Sequence, residues 1–188
     1  MLVGILAIQG DYEAHGRVLE KLGAKVRFVR TPEQLDEVDA LIIPGGESTT
    51  FLNFLVEHGF LEKLRAFVRA KPTFGTCAGA ILLAKDVENP PQESLGAIDL
   101  AVRRNAYGRQ NESFIIDVES KFGPLELVFI RAPKITRVGA GVEVLATEKD
   151  DPVLVRQGKV MAATFHPELS SSARVHEEFL KMARNGTK

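Results

Sequence analysis

Short apolar runs alternate with segments of helical periodicity through the first half of the chain, and this rhythm restricts the possible folds more than any other feature. Four apolar runs, each typical of a buried strand, lie at 2–8, 25–30, 40–44 and 72–75. Helical patterns lie between or after them, at 11–23, 31–38, 48–57, 60–70 and 78–85. Strands that alternate with helices in this way predict a parallel sheet with helices packed on both of its faces.

The second half of the chain has a different pattern, in which strand-like segments follow one another with only short turns between them. These segments lie at 97–104, 113–120, 125–131, 142–148, 152–157 and 159–165. A hairpin turn is predicted at 157–159, an exposed loop at 86–96 and a closing helix at 172–184. We therefore predict an α/β fold of three layers: a mostly parallel central sheet, helices on both faces and additional antiparallel strands. Residues 1–188 are expected to form a single domain.

Composition excludes several classes of function. The net charge is −1, with a pI of about 6.4, which argues against a nucleic-acid or anionic-membrane surface as the main binding site. One cysteine in 188 residues excludes an internal disulfide framework and fits a reducing compartment. No apolar run approaches the roughly 20 residues that span a bilayer. We expect a cytoplasmic protein with neither a membrane nor a nucleic acid as partner.

That single cysteine, Cys77, lies in the stretch Gly-Thr-Cys-Ala-Gly between a predicted strand and a predicted helix. Gly-x-Cys-x-Gly in this position is the thiol version of the nucleophile elbow, a sharp turn that exposes the reactive atom. The turn needs small neighbours, which Gly75, Ala78 and Gly79 supply. The positive end of the helix dipole would favour the thiolate form. The alternative is a small buried cysteine that precedes a core helix.

A histidine and a glutamate lie two residues apart in the stretch Thr-Phe-His-Pro-Glu-Leu, as His166 and Glu168. In an extended segment such residues point to the same side, and Pro167 favours extended geometry at His166. The carboxylate would then orient the imidazole, as the base and its orienting partner do in a nucleophilic triad. The alternative is a histidine at a strand end beside a solvated glutamate.

The remaining histidines lie in helical patterns without such an acidic partner, and we expect them on the surface: His15, His58 and His176. The sequence suggests neither a metal ion nor a cofactor.

A loop of two glycines follows the third predicted strand, in Leu-Ile-Ile-Pro-Gly-Gly-Glu-Ser-Thr-Thr at 41–50. Glycines let backbone N–H groups point into a cleft, which is what an oxyanion hole requires. The loop lacks the Gly-Lys-Ser/Thr ending of a phosphate loop. It lies, like the Cys77 turn, at the carboxyl end of a predicted parallel strand, where active sites collect. The alternative is a plain strand–loop–helix connection capped by Ser48 or Thr49.

Three of these stretches, in this order, resemble the motifs of the class I (triad) glutamine amidotransferases: Pro-Gly-Gly-Glu-Ser-Thr, Gly-Thr-Cys-Ala-Gly and Phe-His-Pro-Glu-Leu. The resemblance spans nearly the whole chain and implies a flavodoxin-like fold. More narrowly, Arg-Asn-Ala-Tyr-Gly-Arg-Gln-Asn-Glu-Ser-Phe at 104–114 and Phe-Ile-Arg-Ala-Pro at 129–133 resemble the glutaminase subunits of pyridoxal 5′-phosphate synthases.

The resemblance implies a role for each matching residue. It makes Cys77 the nucleophile, His166 the general base and acid, and Glu168 the residue that orients His166. It places the oxyanion-hole N–H groups on Gly46 and Ala78. The residues that it implies for glutamine contact are Gly46, Glu47, Ser48, Arg104, Ile130 and Arg131. An arginine suits the α-carboxylate of glutamine, although Arg104 and Arg131 could instead be surface charges beside strands.

The implied activity is hydrolysis of L-glutamine to L-glutamate and ammonia. By the same resemblance, the ammonia passes to a synthase subunit that builds pyridoxal phosphate for vitamin B6 synthesis, within a large hetero-oligomeric complex. Low activity alone and higher activity with the synthase are expected. Two alternatives stay open: another cysteine hydrolase on the same fold, and a non-catalytic regulatory subunit that binds glutamine.

Overall fold

A computed structural model describes residues 1–104, 106 and 113–185 of the chain. Most of segment 104–114, which carries part of the family resemblance, lies outside the described residues. The described strands are β1 (Leu2–Leu6), β2 (Lys25–Val29), β3 (Ala40–Ile43), β4 (Thr73–Thr76), β5 (Ala84–Glu88), β6 (Ile98–Arg103), β7 (Phe114–Ser120), β8 (Gly123–Phe129), β9 (Lys134–Val138), β10 (Glu143–Glu148), β11 (Asp151–Gln157) and β12 (Val160–Ala163). The α-helices are α1 (Tyr12–Lys21), α2 (Ser48–Glu57), α3 (Phe60–Ala70), α4 (Ala78–Leu83) and α5 (Arg174–Asn185).

Nine of these strands form one sheet in the order β2-β1-β3-β4-β12-β11-β10-β7-β8. The first five are parallel neighbours, and the remaining pairs are antiparallel. Strand β12 joins the two parts, because it pairs parallel with β4 and antiparallel with β11. This confirms the predicted mostly parallel sheet with additional antiparallel strands. The turn predicted at 157–159 connects β11 and β12 in an antiparallel hairpin.

Side chains alternate between the two faces of the central strands and supply two separate cores. In β3, Leu41 and Ile43 pack into the core that α2, α3 and α4 share. Ala40 and Ile42 of the same strand face the core beneath α1 and α5. The alternation follows from the two-residue period of a strand, and it explains why these strands are apolar at every position. Helices therefore cover both faces, as predicted.

The structure differs from the predicted elements in three places. Residues 31–38 form only a short 3-10 helix, Pro32–Glu37, although Thr31 and Gln34 make a capping box at its start. The helix predicted at 78–85 ends at Leu83, and the unpredicted strand β5 replaces its last two residues and the start of the loop predicted at 86–96. Strand β9 was not predicted at all, and it pairs with β6 at the edge of a second sheet of order β5-β6-β9.

No helix in the described part of the chain is long and apolar enough to cross a membrane.

Candidate active site

Cys77 lies in the sharp turn between β4 and α4, with backbone angles that ordinary side chains rarely adopt (φ 49°, ψ −105°). Its backbone N–H donates to the carbonyl of Ala163 at the end of β12, at 2.8 Å. The turn is crowded, since a methyl group on Gly79 would overlap the carbonyl of Ile43 and one on Gly75 would overlap the backbone of Gly79. The small residues around Cys77 are therefore required by the close approach of α4 to β3 and β4.

His166 follows β12 and is held by a backbone hydrogen bond, its N–H donating to the carbonyl of Val128 at 2.8 Å. Its ring nitrogen Nδ1 lies 2.7 Å from Oε1 of Glu168, whose side chain is fully buried. The side-chain contact expected from the sequence is present, but the extended geometry was wrong. Pro167–Leu169 is a 3-10 helix, because proline suits the first turn of a helix. His166 precedes that turn in a non-helical conformation, and the tight turn brings Glu168 back to the ring.

The thiol of Cys77 interacts with His166 on the other side from Glu168. Because Nδ1 faces the carboxylate, Nε2 is the ring nitrogen left for the sulfur. Burial of the ring opposes its protonation, but hydrogen bonds with Cys77 and Glu168 outweigh burial and raise the pKa of His166 to about 10. Burial would likewise raise the pKa of Glu168, yet His15 and the hydrogen bond from His166 lower it. The arrangement therefore stabilises an imidazolium between a thiol group and a carboxylate.

The two-glycine loop after β3 packs directly against these groups. A methyl group on Gly45 would lie 2.7 Å from Cε1 of His166 and 3.4 Å from Cβ of Cys77. Gly46 has φ 136°, a conformation that favours glycine, and a methyl group there would meet the side chain of Gln9. Gln9 in turn donates from Nε2 to the carbonyl of Glu47 at 2.8 Å. A side chain at 45 would therefore displace the ring of His166, and one at 46 would displace Gln9 or the loop itself.

Glu47 is the N-cap of α2, and its carboxylate accepts hydrogen bonds from the backbone N–H groups of Thr49 and Thr50. The cap is therefore neither Ser48 nor Thr49. Partial burial opposes ionisation, but those N–H groups outweigh it and lower the pKa of Glu47 to about 2. Arg104 also reaches this carboxylate, from Nη2 to Oε1 at 3.1 Å. Glu47 thus carries a firmly held negative charge at the end of the loop.

A cavity of about 340 Å³ opens over Cys77 and His166. Of the ten residues that the sequence implicates, eight line it: Gly46, Glu47, Ser48, Cys77, Arg104, Ile130, Arg131 and His166. The other two lie just behind the wall, Glu168 against His166 and Ala78 as the first residue of α4. Arg104 is buried, with 8% of its surface exposed, so it is not a surface charge. Arg131 is exposed and has a positive φ of 45°.

Several residues of the wall were not singled out from the sequence: Gly10, Asp11, Ile81 and Pro133. Gly10 and Asp11 follow β1, as Gly46 follows β3 and Cys77 follows β4. Their position directly after a parallel strand is the signal that would have located them, because active sites collect at the carboxyl ends of such strands.

Two histidines were placed wrongly by the sequence. His15 and His176 are fully buried, whereas only His58 is exposed as expected. His15 lies behind Glu168, its Nε2 3.4 Å from Oε2 of the carboxylate. A helical pattern identifies the element but not which of its faces the fold buries, and both helices pack with these rings inward.

The model of one protein family, described as the SNO glutamine amidotransferase family, matches residues 5–185. Among curated proteins, the chain is similar to the pyridoxal 5′-phosphate synthase subunit PdxT of Koribacter versatilis, at 63% identity over 99% of this chain and 97% of that protein. It is 52% identical to the protein of the same name from Thermosipho africanus, over 98% of this chain and all of that protein.

Solved structures give the same picture of the fold. A crystal structure of a glutamine amidotransferase superposes with a TM-score of 0.91 at 49% identity, over 97% of this chain and 98% of that one. PurLQS from Thermotoga maritima superposes with a TM-score of 0.71 at 15% identity, over 100% of this chain and 98% of that one. The second likeness concerns the fold alone.

Proposed function

Because the chain belongs to the SNO glutamine amidotransferase family, we propose that it hydrolyses L-glutamine to L-glutamate and ammonia, and that it supplies the ammonia to a pyridoxal 5′-phosphate synthase partner. The observation that carries this proposal is the buried series Cys77, His166 and Glu168 beside the 340 Å³ cavity. We take residues 1–188 as one glutaminase domain, since the wall of that cavity draws on segments from Gly10 to His166.

Cys77 is the nucleophile and attacks the side-chain amide carbon of glutamine. The imidazolium of His166 stabilises the thiolate and gives its proton to the departing ammonia, which leaves a thioester on Cys77. His166 then takes a proton from the water that hydrolyses the thioester. Glu168 keeps His166 in the tautomer and orientation that both steps need.

Negative charge develops on the amide oxygen in both steps, and backbone N–H groups receive it. Ala78 is the first residue of α4, so its N–H has no partner within the helix. Gly46 lines the cavity opposite, on the two-glycine loop. We assign the oxyanion hole to these two N–H groups.

The charged groups of the cavity suit the two charges of glutamine's backbone end. Arg104 and Arg131 line the wall and match the α-carboxylate. Glu47 remains ionised at neutral pH and matches the α-ammonium. Gly46, Ser48 and Ile130 complete this end of the site, which leaves the side-chain amide to reach Cys77.

A synthase partner follows from the chemistry of the product. Free ammonia at neutral pH is mostly ammonium, which is not a nucleophile, so a synthase gains from receiving it directly. The two PdxT proteins described above are named as subunits of pyridoxal 5′-phosphate synthase. We place this chain in a hetero-oligomeric complex with the corresponding synthase subunit, and in the cytoplasm.

The test is ammonia release from glutamine, measured for the purified chain with and without the synthase subunit. We expect low turnover alone, higher turnover in the complex and none from Cys77→Ala in either case. Ammonia release by Cys77→Ala would exclude the nucleophile assigned here. A wild-type complex that binds glutamine but releases no ammonia would instead indicate a regulatory glutamine-binding subunit.

A further inference from the structure

Two buried histidines continue from the back of Glu168 into the core, and the mechanism above uses neither. His15 on α1 and His176 on α5 each have 0% of their surface exposed. His15 places Nε2 3.4 Å from Oε2 of Glu168 and 3.3 Å from Oγ1 of Thr76. Its Nδ1 lies 2.9 Å from Nε2 of His176. Glu168, which holds His166 through Oε1, therefore has an imidazole beside its other oxygen.

One arrangement of protons directs an N–H of His15 at the carboxylate of Glu168. If His15 carries its proton on Nε2, that N–H faces the carboxylate, and Nδ1 accepts from Nε2–H of His176. His176 is then left with a bare acceptor at Nδ1, which, like Oε2 of Glu168, makes no hydrogen bond with the described residues. The opposite arrangement points a lone pair of His15 at the carboxylate and buries an unpaired N–H on His176. That is costlier, because a lone pair directed at a carboxylate is repelled, whereas an N–H directed at it is attracted.

Both rings remain neutral in this environment. The charged and titratable groups that face His15 are Glu168, His166, Asp11 and His176. Burial lowers the pKa of His15 despite the nearby carboxylate, and burial together with His15 lowers the pKa of His176 to about 3. Glu168 thus meets an N–H dipole of His15 and not a second positive charge.

We propose that His15 is a positioning residue of the glutaminase site: its Nε2–H faces Oε2 of Glu168 at 3.4 Å and attracts it, so that Oε1 stays fixed on His166, while His176 sets the tautomer of His15. The terminal torsion of a glutamate is soft, and a carboxylate held at one oxygen alone rotates more freely. The contact with His15 restricts the rotation of the Glu168 carboxylate and thereby fixes the orientation of the His166 ring. No proton leaves His15 at any step. The inference rests on the proposed glutaminase function.

Two substitutions of His15 separate positioning from packing. In His15→Gln the amide nitrogen takes the place of Nε2 and keeps a donor toward Glu168. In His15→Asn the shorter amide takes the place of Nδ1, which keeps a partner for His176 but not for Glu168. The matched control is His58→Asn, since His58 is exposed and both contacts described for its ring, a stacked pair and a hydrogen bond, are with Phe54.

Each variant is assayed in complex with the synthase subunit, across pH 6 to 10. For His15→Asn we expect kcat to fall about 10- to 100-fold, with KM little changed. Losses of this size are typical when a residue that orients a metal ligand is replaced, and His15 orients Glu168 in a comparable way. The alkaline limb of its profile should move to lower pH, because a loosely held carboxylate supports the His166 imidazolium less well. His15→Gln should recover most of the loss, and His58→Asn should match the wild type.

Equal losses in His15→Gln and His15→Asn, or an unshifted profile in His15→Asn, would overturn the proposal. A wild-type complex without glutaminase activity would overturn the proposed function first. Should His15→Asn fail to fold, nitrogen NMR of the wild type still decides the matter. The ring of His15 must then be neutral and protonated on Nε2 between pH 6 and 9, and either the other tautomer or a charged ring contradicts the assignment.

Discussion

Cys77 combines the reactive atom with a strained backbone. Its φ of 49° and ψ of −105° lie outside the regions that residues with a Cβ favour, and such strain costs about 1–3 kcal/mol. Glycine tolerates these angles, although it loses roughly 0.5–1 kcal/mol through its more flexible unfolded chain. We therefore expect Cys77→Gly to be inactive but about 1 kcal/mol more stable than Cys77→Ala. Urea denaturation of the two variants measures the difference, and a less stable glycine variant would contradict the strain.

Cys77 and the residues around it differ in how far the sequence alone could predict their positions. Cys77 was singled out because its small neighbours are a local signal of a sharp turn. His166 and Glu168 were singled out because they lie two residues apart, which is a local signal of a histidine paired with a carboxylate. His15 and His176 were not found, because their partners come from distant segments. A weaker signal existed, since His15 lies four residues before Leu19, and His176 lies four before Leu180. Both thus occupy the apolar stripes of their helices.

At the scale of elements, long periodic segments were predicted well and short edge segments were not. Helices α2 and α3 begin and end where the pattern placed them, because their apolar stripes fit a helix of ordinary length. Strand β9 was missed, since its polar residues Lys134, Thr136 and Arg137 leave no apolar run and no clear alternation. Its strand geometry comes from pairing with β6, a contact that local sequence does not encode.

Helix α4 depends on a close approach that allows no side chain at Gly79. A methyl group there would overlap the backbone carbonyl of Ile43, which cannot move without shifting β3. We expect Gly79→Ala to destabilise the fold by about 1–3 kcal/mol, as overpacking typically does, and to abolish glutamine turnover by moving Cys77. Urea denaturation and ammonia release measure both effects.

Gly16 in α1 is the matched control, because a methyl group there meets the end of the Phe28 ring at 3.1 Å and the end of the Ile5 side chain at an ordinary 3.7 Å. A ring end can shift by a few tenths of an ångström, and alanine is favoured over glycine within a helix by roughly 0.5–1 kcal/mol. Gly16→Ala should therefore stay within about 1 kcal/mol of the wild type. Equal effects of the two substitutions would show that backbone contact at Gly79 is not what limits α4.

At the scale of the whole molecule, the cavity over Cys77 and His166 is built from segments that are far apart in sequence and meet only in the folded chain. Strand β12 pairs with β4 and holds the N–H of Cys77 through Ala163, and the chain then continues directly to His166. Helices α1 and α5 close the other side with their buried histidines. The order of the motifs predicted which residues take part, but the pairing of β12 with β4 determines how they meet.

Those buried histidines also make the stability of the whole chain depend on pH. Burial, together with His15, lowers the pKa of His176 to about 3, whereas an unfolded histidine titrates near 6.5. Between these values the unfolded state binds one proton more than the folded state, so stability falls as the pH falls. The slope from this residue is about 1.4 kcal/mol per pH unit.

Between pH 4.5 and 6, we expect the unfolding free energy of His176→Leu to change less steeply with pH than that of the wild type. The difference in slope should be about 1.4 kcal/mol per pH unit. Leucine fits the apolar neighbours of the ring, Phe74 and Phe179, and it cannot bind a proton. Urea denaturation at several pH values measures the slope, and His58→Leu serves as the control because it replaces an exposed histidine by the same residue. Absolute stability can change in either variant without affecting the comparison. Parallel curves for His176→Leu and the wild type would show that His176 takes up a proton in the folded state.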